Sequence, residues 1–487
     1  MFVPAALGTK RMVWAIPCLV VALASLRLCH IHLLWADEDY HMAAAINILH
    51  GRVPYRDFWY DKPPLCALFY LLVGGYAGWP LRILDAGYVL IASHLAYLLA
   101  RDWWTEADAL GKREGLTAAL LLAFYLAFYL PSAVIPFAAD ALMIIPHLAA
   151  IYSARRRRAI WAGVWAGIAL LVNTKGVFVL LACAIFSVGQ LLPLLVGFGL
   201  PILAGLAGAL LSGTWTGYFE QVWGWGWIYM QAAPVVNPLK AGLARTLNWL
   251  GFQGVLIAGA SYALIRVRRS DRIQLLLWIA LSFGAVCLGG RFVPRYFLQL
   301  LPPLTVAASR GIVLGLRAYP RAGAAILAAL LLVPSIRFGP RYASLALDNL
   351  SHREPNWSDV AMDLDSQRVA AKIRSMAQPG DTLFVWGYRP DVYVYTRMTS
   401  DSLFWDSQPL TGVPADRHLS ATGPIYSGPA IGNRQRLSHS HPTWIVDGLS
   451  LLNPKLTPVM YPELQPWLAQ YKPIGRTALS LIYHRIG

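Results

Sequence analysis

Charged residues are concentrated in one short stretch near the start of the chain, directly after an apolar run. The stretch LLWADEDYHMAAAINILHGRVPYRDFWYDKPP contains the consecutive carboxylates Asp37, Glu38 and Asp39, and Lys62 follows near its end. A carboxylate held in place can accept a proton as a general base, and a positioned cation can stabilise negative charge that develops in a transition state. These residue types make the stretch a candidate reaction site.

The lysine of this stretch lies directly before Pro63 and Pro64. Proline cannot continue a helix from the residues before it, and it restricts the backbone of the preceding residue, so the ammonium group of Lys62 is displayed from a fixed turn. We interpret Lys62 as a positioned cation of the candidate site. The structural alternative is that Lys-Pro-Pro begins a helix, since proline suits the first helical turn.

Composition places these residues in a membrane protein. The chain has 487 residues, of which 57% are hydrophobic and 14% charged, a balance that fits neither a soluble globular protein nor a disordered one. The formal net charge of +16 arises largely from Lys and Arg residues in short loops between apolar segments, as the positive-inside rule predicts, so nucleic-acid binding is not expected. The five cysteines lie in apolar segments without CxxC spacing, which predicts neither a disulfide nor a zinc site.

Apolar segments of roughly twenty residues are needed to cross the hydrocarbon of a bilayer. On this criterion we expect an α-helical polytopic membrane protein with about eleven transmembrane helices and additional interfacial helices. The predicted spans are residues 13–34, 81–100, 114–131, 138–154, 159–174, 177–190, 191–212, 243–265, 273–290, 296–309 and 322–337. Helical and strand patterns alternate after the last span, so we expect two domains, a transmembrane domain at 1–337 and a small α/β domain at 338–487.

Basic clusters set the expected orientation, because such clusters face the cytoplasm. They lie at residues 10–11, 112–113, 155–158, 266–272 and 310–321. The stretch around Asp37 and the α/β domain are then extracytoplasmic. A crossing at residues 63–79 would place the 155–158 cluster outside, so we expect an interfacial or re-entrant helix there.

Other ionisable residues are predicted at the same extracytoplasmic level, among them Asp140, Lys175 and Arg295. Ionisable groups at membrane depth are costly unless they pair or line a water-filled cavity, and they mark a candidate functional site. Two structural alternatives remain open. Asp140 could cap the helix that it begins, and Lys175 could extend from a helix end to the membrane surface.

Five motifs occur in order along the chain: ADEDYHMAAAINILHG, YDKPPL, AADALM, AGIALLVNTKG and RYFLQLLPPL. Together they resemble the GT-C glycosyltransferases that use polyprenyl-phosphate sugars, notably bacterial relatives of protein O-mannosyltransferases and of the lipid A aminoarabinose transferase. The similarity covers about residues 10–310. Two motifs depart from the family pattern, since Asp61 stands where Glu is usual and VNTKG matches only in part.

The resemblance implies an extracytoplasmic active site and a donor sugar joined through one phosphate to a polyprenol. In such an enzyme a carboxylate takes the proton of the acceptor hydroxyl, and cations stabilise the leaving phosphate. Interfacial tyrosines are common and single histidines are usually bystanders, so the substrate contacts have a structural alternative. The implied site residues are Asp37, Glu38 and Asp140 as catalytic groups, with Asp37 as the general base, Lys62, Arg295 and Lys175 at the donor phosphate, and Tyr60, Tyr296 and His41 as substrate contacts.

We therefore expect an inverting membrane glycosyltransferase of a bacterial inner membrane. Its partners would be the polyprenyl-phosphate-linked sugar donor, a glycan, lipid or protein acceptor, and membrane lipid. A divalent cation is left open as a cofactor, because Asp37, Glu38 and Asp140 could converge on one, although relatives often work without a metal. A transporter or flippase for a lipid-linked or anionic substrate is the main alternative, because charged helix ends could line a translocation path. A non-catalytic membrane scaffold with an external binding domain is a third.

Overall fold

The computed structural model describes residues 9–105, 110–128, 137–231, 237–355, 360–424 and 428–486. The chain forms two compact units whose segments alternate along the sequence. Unit 1 comprises Met1–Ile31, Gly78–Leu203 and Asn237–Pro355, and unit 2 comprises His32–Ala77, Ala204–Val236 and Asn356–Gly487. The domain boundary expected after residue 337 falls inside a continuous helix that runs to Leu350.

Helices dominate the described residues, and a small sheet lies in the C-terminal part. In the first half of the chain the helices are α1 Thr9–Leu28, α2 Glu38–Leu49, α3 Leu65–Tyr70, α4 Trp79–Trp103, α5 Leu110–Ala127, α6 Ala139–Leu142, α7 Ile144–Arg155, α8 Ala159–Val172, α9 Gly176–Phe186, α10 Leu191–Leu211, α11 Trp215–Tyr218 and α12 Trp225–Gln231. The later elements are α13 Pro238–Phe252, α14 Gly254–Arg266, α15 Arg269–Cys287, α16 Leu301–Ala318, α17 Pro320–Leu350, α18 Ala361–Arg374, β1 Leu383–Trp386, α19 Asp391–Thr396, α20 Gln408–Thr411, α21 Pro429–Leu437, β2 Trp444–Asp447, α22 Gln465–Leu468, β3 Tyr471–Arg476 and β4 Leu481–Arg485.

Unit 1 contains most of the apolar helices. Among the described residues, five helical stretches are long and apolar enough to cross a membrane, or up to six if one bent pair counts as a single span. They are α4, α10, α15 with the turn that follows it, α16 with the turn that precedes it, and α17. The expected number of about eleven is thus not confirmed, because helices such as α8 and α9 have only 14 and 11 residues, fewer than the roughly twenty that a bilayer requires.

The predicted span at 243–265 is two helices rather than one. α13 and α14 meet at an angle of 88°. The break lies at Gln253, whose φ of −96° and ψ of 23° leave the helical region. α14 has 13 residues, so the largely apolar stretch that predicted one span is divided between two helices.

The segment at 63–79 does not cross. α3 has six residues, a length of about 9 Å at the helical rise, and a three-residue 3-10 turn ends at Gly74 in the left-handed conformation. A helix of this length is too short to cross a bilayer, which agrees with the expectation of no crossing. Its position at a membrane surface stays a prediction.

Basic residues gather at one end of the unit 1 helices. Arg156, just after α7, pairs with Asp102 in α4 at 2.6 Å. The indole of Trp103 in α4 donates to Asp271 in the first turn of α15 at 3.1 Å, and Arg155 donates to Gln274 in the same helix at 3.1 Å. The clusters at 155–158 and 266–272 therefore lie at the same end, as one cytoplasmic face requires.

Unit 2 combines the sheet with the first loop of the chain. Its four strands have the order β1-β2-β4-β3, with β1 and β2 parallel and the other pairs antiparallel. All residues of β1 and β2 are buried, as their unbroken apolar runs predict. α2, from the first loop, packs against α19, so the stretch that carries Asp37 belongs to the same compact unit as the α/β region.

Candidate functional site

In unit 1, Asp140 is the centre of a charged cluster. It is the second residue of α6, and its Oδ1 accepts hydrogen bonds from Lys175 Nζ at 2.8 Å and from Asn173 Nδ2 at 3.2 Å. Its main-chain oxygen accepts from Gln299 Nε2 at 3.2 Å. The carboxylate thus serves an ion pair, which favours a site role over the alternative of a simple helix cap.

Lys175 lies in the turn between α8 and α9. The turn is tight, because a Cβ at Gly176 would approach the main-chain nitrogen of Leu170 to 2.2 Å. The lysine side chain is 7% exposed, and its Nζ lies 3.0 Å from the ring centroid of Tyr296. A buried, paired ammonium group favours a site role over the alternative in which Lys175 extends to the membrane surface.

Arg295 completes the cluster from the 3-10 helix at Pro294–Leu300. Its Nε lies 3.7 Å from Asp140 Oδ2, and its side chain is 30% exposed whereas that of Asp140 is 8% exposed. Two cations thus surround one carboxylate, and the more accessible cation is the guanidinium. An arginine presented in this way can bind carboxylate or phosphate oxygens in bidentate fashion.

Helix directions place this cluster far from the basic end of unit 1. α7 starts two residues after α6 and ends at Arg155. α8 starts after the 155–158 cluster and leads to Lys175, and α15 starts at Arg269 and leads towards Arg295. Each of these helices thus connects the basic end with the Asp140 cluster, which agrees with the expected extracytoplasmic position of the cluster.

In unit 2, the structure distinguishes the three consecutive carboxylates. Glu38 is 0% exposed and Asp39 is 5% exposed, whereas Asp37 is half-buried. Asp37 directly precedes α2 with φ 78° and ψ −31°, and its side chain does not cap the helix. A non-glycine residue with positive φ is strained, and strain of this kind is often found at functional sites.

Asp39 faces other carboxyl groups inside unit 2. Burial raises its pKa well above the usual range, and the neighbouring Asp391 and Asp37 raise it further. The pKa of Asp391 is also raised, mainly by burial, although Arg389 opposes the shift. Burial together with like-charged neighbours disfavours the ionised form of these carboxyl groups.

Lys62 is partly accessible and paired. Its Nζ donates to Asp61 Oδ2 at 2.7 Å, and its side chain is 38% exposed. The main chain around it is fixed, since Tyr55 Oη donates to the Lys62 oxygen at 2.8 Å and the Asp61 N–H donates to Tyr40 Oη at 3.2 Å. Pro64 directly precedes α3, so the turn both begins a helix and displays the ammonium group.

Tyr60 and His41 are buried, with exposed fractions of 0% and 2%. Their Oη and Nδ1 atoms lie 2.7 Å apart, within hydrogen-bonding distance. Gln221 Oε1 accepts the Tyr60 N–H at 2.8 Å. These contacts favour a role in holding the loop over the direct substrate contact expected from the sequence. Tyr296 remains half-buried beneath Lys175.

Sequence reasoning missed the groups that the C-terminal part contributes to the first loop. The rings of Tyr388 and Trp405 lie 5.7 Å and 5.0 Å from the ring of Tyr40. Asp406 interacts electrostatically with Asp61 and Lys62, and burial with Asp61 raises its pKa to about 7. No motif marks these residues, because the fold alone brings them to a loop far away in the sequence.

A metal site is not evident in the described part of the chain. There, no three His, Cys, Asp or Glu side chains are grouped so that they could hold one ion. Asp37 and Glu38 belong to unit 2, whereas Asp140 belongs to unit 1.

Comparison with known proteins gives a match in structure but not in sequence. No family model and no curated protein matches the sequence. The crystal structure of ArnT from Cupriavidus metallidurans bound to undecaprenyl phosphate superposes with a TM-score of 0.62 over 98% of this chain and 99% of that chain, at 14% identity. The chain has the ArnT fold. The apo structure of ArnT matches over the same shares with a TM-score of 0.59 at 14% identity.

ArnT is a lipid A aminoarabinose transferase of the GT-C class. Its match to nearly the whole chain confirms the fold that the motif resemblance implied. The likeness also extends beyond residue 310, where the motif resemblance ended, because the ArnT match includes the C-terminal sheet region.

Proposed function

We propose that the protein is an inverting GT-C glycosyltransferase that moves a sugar from a polyprenyl-phosphate carrier to an acceptor hydroxyl on the extracytoplasmic side of a bacterial inner membrane. The observation that carries the proposal is the Asp140–Lys175–Arg295 cluster, with its excess of positive charge, in a chain with the ArnT fold. The ArnT structure holds undecaprenyl phosphate, an anionic lipid of the kind such a cluster would bind.

The cluster has the charge that a phosphate leaving group requires. Lys175 neutralises Asp140 at 2.8 Å, and Arg295 adds one further positive charge at an accessible position. The guanidinium can donate two parallel hydrogen bonds to phosphate oxygens. As the bond from the sugar to phosphate breaks, negative charge grows on those oxygens, and cations already in place stabilise the transition state.

Lys62 is a second candidate for the phosphate. Its ammonium group is 38% exposed and is displayed from the proline turn, but Asp61 at 2.7 Å already balances its charge. Lys62 binds an anion best if Asp61 turns away from it. Its contribution is therefore tested separately from that of Arg295.

Asp37 is proposed as the general base. The acceptor oxygen forms a bond to the anomeric carbon on the face opposite the phosphate, its proton passes to the Asp37 carboxylate, and the polyprenyl phosphate leaves with the electron pair of the broken bond. This displacement inverts the anomeric carbon. Glu38 is fully buried, so of these two acidic neighbours Asp37 is the one that can meet a substrate.

The test is transfer by purified protein in lipid nanodiscs, with release of polyprenyl phosphate measured over a panel of lipid-linked sugars. Asp37→Asn should lower turnover by roughly two to four orders of magnitude while donor binding persists. Asp57→Asn is the matched control, because Asp57 lies in the same loop but pairs with the exposed Arg56. Normal transfer by Asp37→Asn with loss in Glu38→Gln would refute the assignment of the base.

The same preparation distinguishes the transporter alternative. Wild-type protein is reconstituted in sealed vesicles with a lipid-linked sugar. If it moves the intact lipid between leaflets and releases polyprenyl phosphate from no donor, the protein is a flippase and the transferase proposal is refuted. Release of polyprenyl phosphate that depends on an acceptor hydroxyl supports the transferase.

A further inference from the structure

α18, in the C-terminal region, is hydrogen-bonded to the segment that leads into Asp37. Gln367 Nε2 donates to the main-chain oxygen of His32 at 2.8 Å. Asp363 lies one turn earlier on the same helix, where its carboxylate accepts the second hydrogen bond of the Gln367 amide. One helix thus binds a main-chain carbonyl of the short segment before Asp37.

The side chains of Gln367 and Asp363 are themselves held in place by hydrogen bonds. Gln367 Nε2 donates to Asp363 Oδ2 at 2.8 Å. Tyr395 in α19 donates its hydroxyl to Asp363 Oδ1 at 2.6 Å. Asp363 is 6% exposed, so its hydrogen bonds are shielded from water, and a buried acceptor with several donors is a rigid anchor.

A second anchor lies on the other side of Asp37. α2 packs against α19, and Asp39 in α2 faces Asp391 in α19, with Asp37 and Tyr388 as its other charged or titratable neighbours. Asp391 in turn faces Arg389, whose Nε lies 3.9 Å away. The residue with positive φ thus lies between a segment that is hydrogen-bonded to α18 and a helix that packs against α19.

We propose that α18 and α19 form a positioning clamp for Asp37, in which Gln367, fixed by Asp363 and Tyr395, holds the segment at His32 and the packing of α19 against α2 holds the helix that follows Asp37. A backbone conformation such as that of Asp37 costs about 1–3 kcal/mol and persists only where its surroundings determine it. The contacts of the clamp hold the backbone of Asp37 in this conformation. The inference rests on the proposed role of Asp37 as base, and it assigns a catalytic purpose to the C-terminal region.

Removing one clamp contact should misplace the base without removing it. Gln367→Leu deletes the bond to His32, and Tyr395→Phe deletes one donor to Asp363 with little change in shape. Because a displacement of about 1 Å can cost about 100-fold in rate, we expect turnover to fall by about 10- to 100-fold in Gln367→Leu and less in Tyr395→Phe. The KM for the lipid-linked sugar should stay unchanged. Gln378→Leu, at an exposed glutamine just beyond α18, is the matched control.

A readout independent of activity is amide hydrogen exchange over residues 32–40. Gln367→Leu should speed exchange over this segment while exchange in the sheet stays as in the wild type. Faster exchange together with normal turnover would reduce the clamp to a structural contact and refute the proposal, and so would unchanged exchange. If Gln367→Leu does not fold, Tyr395→Phe carries the same test.

Failure of this inference is distinguishable from failure of the proposed function. If the wild type transfers sugar and Asp37→Asn does not, but both clamp variants turn over normally, only the clamp is wrong. If Asp37→Asn itself is normal, the proposed base is wrong and the clamp loses its purpose, whatever the exchange data show.

Discussion

The ion pair between Asp140 and Lys175 allows stability to be separated from function by a double-mutant cycle. The two groups lie 2.8 Å apart with side-chain exposures of 8% and 7%. At an effective dielectric constant of about 20 their attraction is roughly 6 kcal/mol, and desolvation offsets much of it. Asp140→Asn leaves a buried ammonium without its carboxylate, so the free energy of unfolding should fall by about 3–5 kcal/mol.

The double variant removes the charge of Lys175 as well as that of Asp140. Asp140→Asn combined with Lys175→Met has no unpaired buried charge, so thermal unfolding in detergent should return to within about 1 kcal/mol of the wild type. If the pair builds a phosphate site, binding of polyprenyl phosphate should stay weak in the double variant although the protein is stable. Recovery of both stability and binding would show that the pair only packs the helices, and an unchanged unfolding temperature in Asp140→Asn would refute the buried ion pair itself.

Three further predictions concern other parts of the chain. A cysteine placed in the 155–158 loop should resist an impermeant thiol reagent in intact cells while one at Asp401 reacts, and the opposite labelling would overturn the orientation. Lys62→Ala should weaken both donor binding and turnover, because the phosphate is charged in the ground state and in the transition state. Lys62→Arg, measured in parallel, should retain part of both. Loss of turnover in Lys62→Ala with unchanged donor binding would refute the phosphate role. Burial, together with the neighbouring Asp61, raises the pKa of Asp406 from 3.8 to about 7. The folded state therefore binds the carboxyl proton of Asp406 more tightly than the unfolded state does. The stability that this proton contributes is lost as the pH rises from about 4 to 7. Asp406→Asn should abolish that loss and unfold with a free energy up to about 4 kcal/mol above the wild type at pH 8, and identical pH profiles of unfolding would contradict the shift.

Apolar runs and turn residues were enough to predict the helical class and the small sheet, but not the path of each helix. The run at 243–265 is largely apolar, and its mean hydropathy does not indicate the 88° bend at Gln253. In the same way α8 and α9 have the composition of spans but not their length. The composition of a segment indicates whether it lies in lipid or in water. The path of its backbone depends on the elements that pack against it.

Residues within one motif were predictable as candidates, but their partners were not. Asp140, Lys175 and Arg295 were expected at one level from charge alone, and the structure brings them together within unit 1. Gln367 and Asp391 gave no such signal, because an amide or a carboxylate in an amphipathic helix resembles any solvated surface residue. Only the contact between distant parts of the chain shows what these residues hold.

The three carboxylates that open the first loop illustrate this difference. In sequence Asp37, Glu38 and Asp39 are equivalent neighbours, and any of them could have served as a base. α2 begins between the first and the second, so Glu38 and Asp39 enter the first helical turn and are buried, whereas Asp37 stays outside the helix in a strained conformation and is half-buried. A base must be accessible to its substrate and fixed in place at once. The helix start gives Asp37 its access, while the hydrogen bond of Gln367 before it and the packing of α19 against α2 after it hold it in place.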